Sequence, residues 1–556
     1  MPSELDQRYD AVLAAVTGPG GRIVVGKDDA GRSQVSNFPA TLPMFFKTFC
    51  ALNAEVEAVI AGDERLTFAQ LDRLSDALAR ALVADHGIAK GDRVAIAMRN
   101  CPAWIVAHMA VLKAGGISTL INGWWQAHEL AHALELTDPR LIIADAPRAK
   151  RIVDVCGPWP LVTLPIESPI GEALAPLMGG GGHEDIALPE IAPEDDATIL
   201  FTSGSTGEAK GALSSHRAVT QGVYTYATSL MCLLGIKESL GEKPGNPPRT
   251  LVNVPLFHVT GEVPVLLNSF VIGRGMVLMP KWDAGEALRL IAKEKVTYFV
   301  GVPTMSLELM NHPERDQFDL STLTDIAAGG APRPVAHVAR LQESFSTAQP
   351  ALGYGLTETN AVGCGNFWGN YAAKPASTGR ALPMVELAIL GSGDAHLGTG
   401  ERGEVGIRSA ANIKGYWRNP DATVAAFTAD DYFRTGDIGF LDEDGYLFIV
   451  DRKKDIIIRG GENISAAEVE GACYACEAVA EVAVVGVPDE RLGEVAIALI
   501  LPAAGSLLSE QELRDFLIQR LASFKVPERF IFVSESLPRL GTGKIDRVAL
   551  KAQLSA

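Results

Sequence analysis

Leu71, Leu74, Leu78 and Leu82 recur at helical spacing behind Thr67 and Gln70, which have the form of a capping box, and Gly87 stands where that helix should end. The apolar run 94–98 predicts a strand, 104–113 a second helix and 117–121, beyond Gly115 and Gly116, another strand. Strand–helix alternation continues to about residue 360 and predicts an α/β fold, a large N-terminal domain with largely parallel sheets flanked by helices. From about residue 380 the pattern shortens to strands separated by turns, such as 403–408 and 446–450, which predicts a small β-rich subdomain. Then 465–479 reads as a helix capped by Ser465 and Glu468, and 482–487 and 495–501 as strands. Ser509 and Glu512 cap a helix running to about residue 521. The last stretch is the size of a small α+β domain, about 100 residues.

At 556 residues the chain is too long for one ordinary core, so at least two domains are expected. Its 47% hydrophobic and 21% charged residues are those of a globular protein. A net charge of −18 repels phosphate backbones at long range and argues against a nucleic-acid partner. The start, with Glu4, Asp6 and Asp10, is not a signal peptide. The longest apolar candidate, 263–279, is broken by Asn268, Ser269, Gly273 and Arg274, so no integral membrane segment is expected. Residues 553–556 carry no sorting signal. Seven scattered cysteines fit free thiols in a reducing, cytoplasmic setting. Cys473 and Cys476 form a C-x-x-C without a second pair, and their spacing from Val469 puts them on one buried helix face rather than on a metal or redox centre. Residues 179–182, four glycines, and 237–249, rich in glycine, proline and charge, read as loops.

The strongest chemical signal is the run Thr202, Ser203, Gly204, Ser205, Thr206, Gly207, Glu208, Ala209, Lys210, Gly211, behind the strand-like 197–201. Glycines let backbone N–H groups approach phosphate oxygens, hydroxyls donate hydrogen bonds and the lysine adds charge. The spacing is not that of a Walker A loop. Taken alone, such a run is also what a solvated turn looks like.

Its residue order resembles the phosphate loop of the adenylate-forming (AMP-binding) superfamily, with Ala209 where proline is usual. Further segments agree in family order. Gly329, Gly330, Ala331 and Pro332 resemble the segment beside adenine, and Tyr354, Gly355, Leu356, Thr357, Glu358 the family's most diagnostic pentapeptide. Phe433 to Asp437 resembles the ribose clamp. Asp451 to Asp455 resembles the hinge, with Lys454 at its centre and Arg452 reaching toward the nucleotide. Gly460, Gly461, Glu462 and Asn463 look like the acyl-CoA synthetase, or fatty-acid:CoA ligase, branch. Pro538 to Ile545 resembles the terminal catalytic motif, with Leu540 at a more often polar position.

The resemblance implies an adenylation domain at 1–453 that binds ATP and the acyl substrate, then a small mobile α+β C-terminal domain at 454–556. It implies Lys544, Glu358 and Thr206 as catalytic residues, with Mg²⁺ on Glu358 and Thr206. Nucleotide contacts would come from residues 202–207, Lys210, Gly330, Ala331, Pro332, Gly353, Tyr354, Gly355, Thr357, Asp437, Ile449, Arg452 and Lys544. Gly460, Gly461 and Glu462 would pass the pantetheine arm of coenzyme A. ATP, Mg²⁺ and coenzyme A are thus the expected cofactors and co-substrates, and a carboxylic acid the partner molecule. The oligomeric state stays open, a homo-oligomer included.

Pro255 to Gly261 matches the segment bordering the acyl pocket. His258 stands where amino-acid-activating relatives place an aspartate for the substrate ammonium, which disfavours an α-amino acid. His258 reads equally as a gate or as packing. Val259, Val302, Gly329, Ala361 and Val362 are small or apolar and suit a fatty, aromatic or alicyclic acid. The expected activity is an ATP-dependent carboxylic acid:CoA ligase working through an acyl-adenylate. Two other readings are an enzyme loading a carrier-protein phosphopantetheine in trans and a non-catalytic nucleotide or acyl-adenylate binder.

Overall fold

A computed structural model of the chain describes residues 2–155, 157–202, 209–242, 245–330, 333–452, 455–459, 462–489, 491–540 and 544–555. Two sheets carry the first part. In the seven-stranded sheet, Arg93–Ala97, Ile117–Leu120, Leu141–Asp145, Leu161–Leu164 and Asp196–Thr202 pair in parallel. Lys210–Ser215 then returns antiparallel along Asp196–Thr202 and takes Gly415–Tyr416 on its free edge. The nine-stranded sheet has a parallel centre from Glu57–Ala61 through Gln349–Gly355 and antiparallel edges, Glu64–Thr67 on one side, Gly363–Phe367 and Arg380–Ala381 on the other.

One apolar core lies between these sheets, joining Val94, Ile96 and Leu120 to Val252, Leu278 and Val300. Helix Pro102–Lys113 is buried along its whole length, which its nearly all-round apolar sequence requires. The 24-residue helix His216–Ser239 is likewise mostly buried. A four-stranded antiparallel sheet, Glu386–Leu390, Gly403–Arg408, Phe433–Leu441 and Leu447–Arg452, forms the β-rich subdomain. A five-stranded sheet with helices Ala466–Tyr474, Glu510–Ile518 and Arg547–Ser555 completes the chain.

The α/β class and the β-rich and α+β parts are as expected. The capping boxes at Thr67 and Ser509 both form. At Ser465 only half of the box forms: the hydroxyl accepts from the Glu468 N–H, but the Glu468 carboxylate is taken by Lys525 at 2.7 Å. That helix stops at Tyr474, short of the expected 479, because Val479 already belongs to strand Val479–Asp489. Val469 and Cys473 are buried in the C-terminal core with Cys476 packed against it. Among the described residues no cluster of histidine, cysteine or carboxylate side chains could hold a metal by itself.

The expected loop 237–249 is shorter than its composition suggests. The helix continues through Ser239, and Lys237 is tied down by Asp325 at 3.5 Å and by the Trp368 ring at 5.0 Å. The apolar stretch 263–279 divides into a π-helical turn Gly261–Leu267, a short helix and strand Gly275–Leu278. Among the described residues no helix is long and apolar enough to cross a membrane.

Candidate active site

The glycine- and hydroxyl-rich run is the connection of an antiparallel hairpin. Thr202 ends one strand and Lys210 opens the next, so both sit at a strand end. Ser203, Gly204, Ser205, Thr206 and Gly207 lie outside the described residues, as do Ala331, Pro332, Lys454, Gly460 and Gly461. The Lys210 ammonium lies 5.0 Å over the Tyr416 ring, and the Tyr416 hydroxyl donates to Glu358 Oε1 at 3.0 Å. A lysine, a tyrosine and a buried carboxylate are therefore joined at the mouth of the hairpin.

Gly353, Tyr354 and Gly355 close the strand Gln349–Gly355, and Thr357 and Glu358 form the 3₁₀ turn after it. Asn360 and Ala361 then both adopt left-handed backbone, φ 47° and 67°, which reverses the chain into Gly363–Phe367. Tyr226 holds this reversal by donating to the Ala361 carbonyl at 2.6 Å. Glu358 is buried, and burial pushes its carboxyl above the usual range. Its own backbone N–H, the Tyr416 hydroxyl, the Arg452 charge and the Thr202 hydroxyl oppose that rise.

Asp437 gathers a second cluster. Its Oδ2 accepts from the Tyr354 hydroxyl at 2.6 Å and its Oδ1 from Arg452 Nε at 3.0 Å. Strand pairing fixes this arrangement, since Asp437 and Arg452 are register partners. Burial and the nearby Asp437 charge raise the Tyr354 phenol well above its ordinary value, so it stays a donor. Ile449, on the same strand as Arg452, packs against the β-subdomain core.

Lys544 comes from the far end of the chain to meet the first domain. A Cβ on Gly330, where φ is +77°, would lie 3.3 Å from Lys544 Cε and 3.7 Å from Nζ. The lysine stem thus rests against a glycine whose positive φ disfavours other side chains, and a Cβ there would crowd the stem. His258 is on the same side. Burial, and then the Lys544 charge, lower its imidazole to about 3, so it is neutral at physiological pH. The Glu262 N–H donates to the His258 carbonyl at 2.9 Å, and burial pushes the Glu262 carboxyl up to about 8.

Of the expected acyl-pocket residues, Val259, Val302 and Ala361 are buried and Gly329 stands at the end of its strand. Val362 sits elsewhere, fully buried in the β-subdomain core with Cys364, Leu382 and Ile407. Glu462 is exposed on the edge strand Glu462–Ser465. Tyr416 and Tyr226 are site residues that the sequence did not announce: each acts through one tertiary hydrogen bond, and neither lies in a recognisable motif.

A buried carboxylate beside a hairpin of phosphate-loop composition, a strand-borne Asp–Arg–Tyr cluster and a lysine delivered by a separate C-terminal domain define an adenylate-forming enzyme. The family of AMP-binding enzymes matches residues 46–417, and its C-terminal domain matches 468–544. The chain belongs to this family, in its acyl-CoA synthetase branch. It is similar to a long-chain-fatty-acid–CoA ligase of Bacillus subtilis (strain 168), 35% identical over 87% of this chain and 89% of that protein. A feruloyl-CoA synthase of an Amycolatopsis species is 34% identical over 89% and 95%. The solved Mycobacterium tuberculosis fatty acyl CoA synthetase superposes with TM-score 0.71 and 30% identity, over 93% of this chain and 98% of that one.

Proposed function

We propose that the protein joins a hydrophobic carboxylic acid to coenzyme A in two steps at one site, using ATP. The observation that carries this is the placement of Lys544 on Gly330 beside neutral His258, where the expected adenine segment and acyl segment meet. First, a carboxylate oxygen of the acid attacks the α-phosphorus of ATP and pyrophosphate leaves. The acid is already ionised near neutral pH, so no residue need remove a proton. The work of the chain is positioning and charge stabilisation. Lys544 balances the charge shared between carboxylate and α-phosphate, Lys210 and the hydroxyl run hold the leaving pyrophosphate, and Asp437 holds the ribose. Neutral His258 borders the acyl group without adding a competing cation. Second, the coenzyme A thiol attacks the acyl-adenylate carbonyl and AMP leaves. The 454–556 domain turns about Lys454 between the steps, withdrawing Lys544 and bringing Gly460 and Gly461 to the site.

The donor set fits Mg²⁺. Glu358 is a single buried carboxylate with one oxygen bonded to Tyr416, and magnesium is commonly held by one or two carboxylates together with substrate phosphates. Glu358 and Thr206 would hold the ion, which when bound offsets phosphate charge. Tyr416→Phe removes a hydrogen bond that favours the ionised Glu358. The carboxyl rises further, so the acidic limb of the pH profile of kcat/KM is expected to move to higher pH. An unmoved limb in steady-state assays across pH would assign that limb to another group.

The acid is read as fatty, aromatic or alicyclic because Val259, Val302 and Ala361 offer no charge. The direct test is AMP and pyrophosphate release from Mg·ATP over a panel from acetate to oleate with benzoates, cinnamates and amino acids, each with and without coenzyme A. Release that requires one hydrophobic acid and rises with coenzyme A is the expected result. Release indifferent to coenzyme A would move the acceptor to a carrier protein, and no release with any acid would leave a nucleotide binder.

A further inference from the structure

Lys544 is carried on a short antiparallel pairing of the chain with itself. Arg539 and Ile545 face each other as bridge partners, the Leu540 N–H donates to the Lys544 carbonyl at 2.8 Å, and the Asp546 N–H donates to the Pro538 carbonyl at 2.8 Å. Each arm is anchored behind the lysine by an ion pair. On the incoming arm Arg539 meets Glu481 at 2.9 Å, and the same carboxylate accepts from the Leu537 N–H at 3.1 Å. On the outgoing arm Arg547, three residues past the lysine, donates from Nη2 to both Glu470 oxygens at 2.6 Å. Glu470 also accepts from the Val484 N–H at 2.8 Å, so its carboxylate is fixed from two sides.

The two anchors are not equivalent. Glu481 belongs to strand Val479–Asp489, inside the C-terminal sheet. Glu470 belongs to helix Ala466–Tyr474, which touches the first domain at both ends. At its start the Ser465 hydroxyl donates to the Val450 carbonyl at 2.8 Å, on the strand that also bears Arg452. At its end the Tyr474 ring meets the His337 ring, centroids 5.9 Å apart and planes at 66°. His337 lies in helix Val335–Ser344, the element that follows the segment holding Gly330. Glu470 and Tyr474 are four residues apart and share one helix face. The anchor of the lysine hairpin and the contact with the first domain are therefore fixed to the same side of one rigid element.

The charges around Arg547 reach the hinge as well. Burial lowers the guanidinium, but Glu470, and after it Asp455 and Asp451, raise it above its ordinary value, so the group stays charged. Asp451 and Asp455 flank the expected hinge residue Lys454. Asp451 is itself buried, with its Oδ1 accepting from the Arg452 N–H at 2.6 Å. At the other end of the helix, burial and then the Arg340 and Arg333 charges lower the His337 imidazole to about 4. The Tyr474–His337 contact is thus one between two neutral rings, which separate without leaving a charge behind.

We propose that Arg547 and Glu470 are positioning residues of the adenylation step: through them the seating of helix Ala466–Tyr474 against His337 sets the place of Lys544. The ion pair joins the lysine hairpin to the helix, and the ring contact joins the helix to the first domain. When the C-terminal domain turns for the second step, the ring contact opens while the ion pair travels with the domain. The proposal rests on the two-step ligase reading above and adds to it which side chains place the lysine.

The test follows the two half-reactions of the full chain separately, with dodecanoate as the acid, or with a cinnamate if the acid panel selects an aromatic one. Pyrophosphate release from Mg·ATP reports the first, and thioester formation from preformed acyl-adenylate and coenzyme A the second. Arg547→Met is expected to lower the first about 10- to 10²-fold, the scale of a small misplacement of a reacting group, while the second changes by less than about threefold. His337→Ala breaks the seating from the first domain and should lower the first half-reaction about threefold or more, again sparing the second. Glu470→Leu combined with Arg547→Met removes both charges at once and stands in if the single variant fails to fold, as judged by its thermal melt. It should lose no more than Arg547→Met alone, because the pair acts as a unit. Equal losses in both half-reactions by folded variants reduce these residues to scaffold and overturn the proposal. So does a first half-reaction left unchanged, or a double variant that loses clearly more than Arg547→Met. A wild type for which no acid in the panel yields pyrophosphate removes the ligase reading itself, which separates the two failures.

Discussion

Lys544→Ala is expected to cut acid-dependent pyrophosphate release by about 10²- to 10³-fold, the usual cost of removing one group that stabilises developing charge. The geometry gives the reason. Lys544 reaches the first domain from a strand-poor terminal segment, rests on Gly330 and places its charge near enough to His258 to depress that imidazole. A cation in such a partly buried position acts through a lower effective dielectric than one in bulk water. Alanine keeps the segment and removes only the charge and its stem. The decisive comparison is with the second step. Thioester formation from preformed acyl-adenylate and coenzyme A should change by less than about threefold, because in the proposed second step the lysine is withdrawn from the site. Equal losses in both steps would mean that Lys544 only docks the C-terminal domain. An intact first step would mean that another cation does its work.

Much of this arrangement was legible in the chain, and unevenly so. Parallel sheets and flanking helices follow from local patterns that the structure keeps, such as the Leu71, Leu78 and Leu82 stripe buried along Phe68–Ala84. The identity of Glu358, Asp437 and Lys544 as candidates came from residue order within motifs, which survives without knowledge of the fold. What the chain did not reveal depends on contacts between distant segments. Tyr416 meets Glu358 across 58 positions, Tyr354 meets Asp437 across 83, and Tyr226 meets Ala361 across 135. No local period encodes such pairs. Val362 shows the converse limit: one position from Ala361, it turns into a different core because the left-handed pair at Asn360 and Ala361 reverses the chain. Helix Ala466–Tyr474 has the same kind of cause at each end: Lys525 takes the Glu468 carboxylate from the capping box, and the strand that begins at Val479 cuts the helix short.

The second large effect is expected at Asp437. A carboxylate offers about four lone-pair sites. Tyr354 uses one on Oδ2 and Arg452 one on Oδ1, which leaves one on each oxygen, a matching pair of acceptors for two neighbouring ribose hydroxyls. The two bonds already made orient the group, so little ordering is left to be done on binding. Asp437→Asn keeps the volume but turns one acceptor into a donor that faces either the Tyr354 hydroxyl or Arg452. The lost bond to the charged group costs about 1.5–3 kcal/mol, so kcat/KM for ATP should fall by about 10- to 10²-fold. Stability should fall much less, because Arg452 is half exposed and screened by solvent. A sugar-specific readout separates recognition from folding. The wild type should prefer ATP over 2′-deoxy-ATP, and Asp437→Asn should lose most of that preference while its melt stays close to wild type. A variant that falls equally with both nucleotides would place Asp437 in the scaffold of Tyr354 and Arg452 and leave the ribose to other groups.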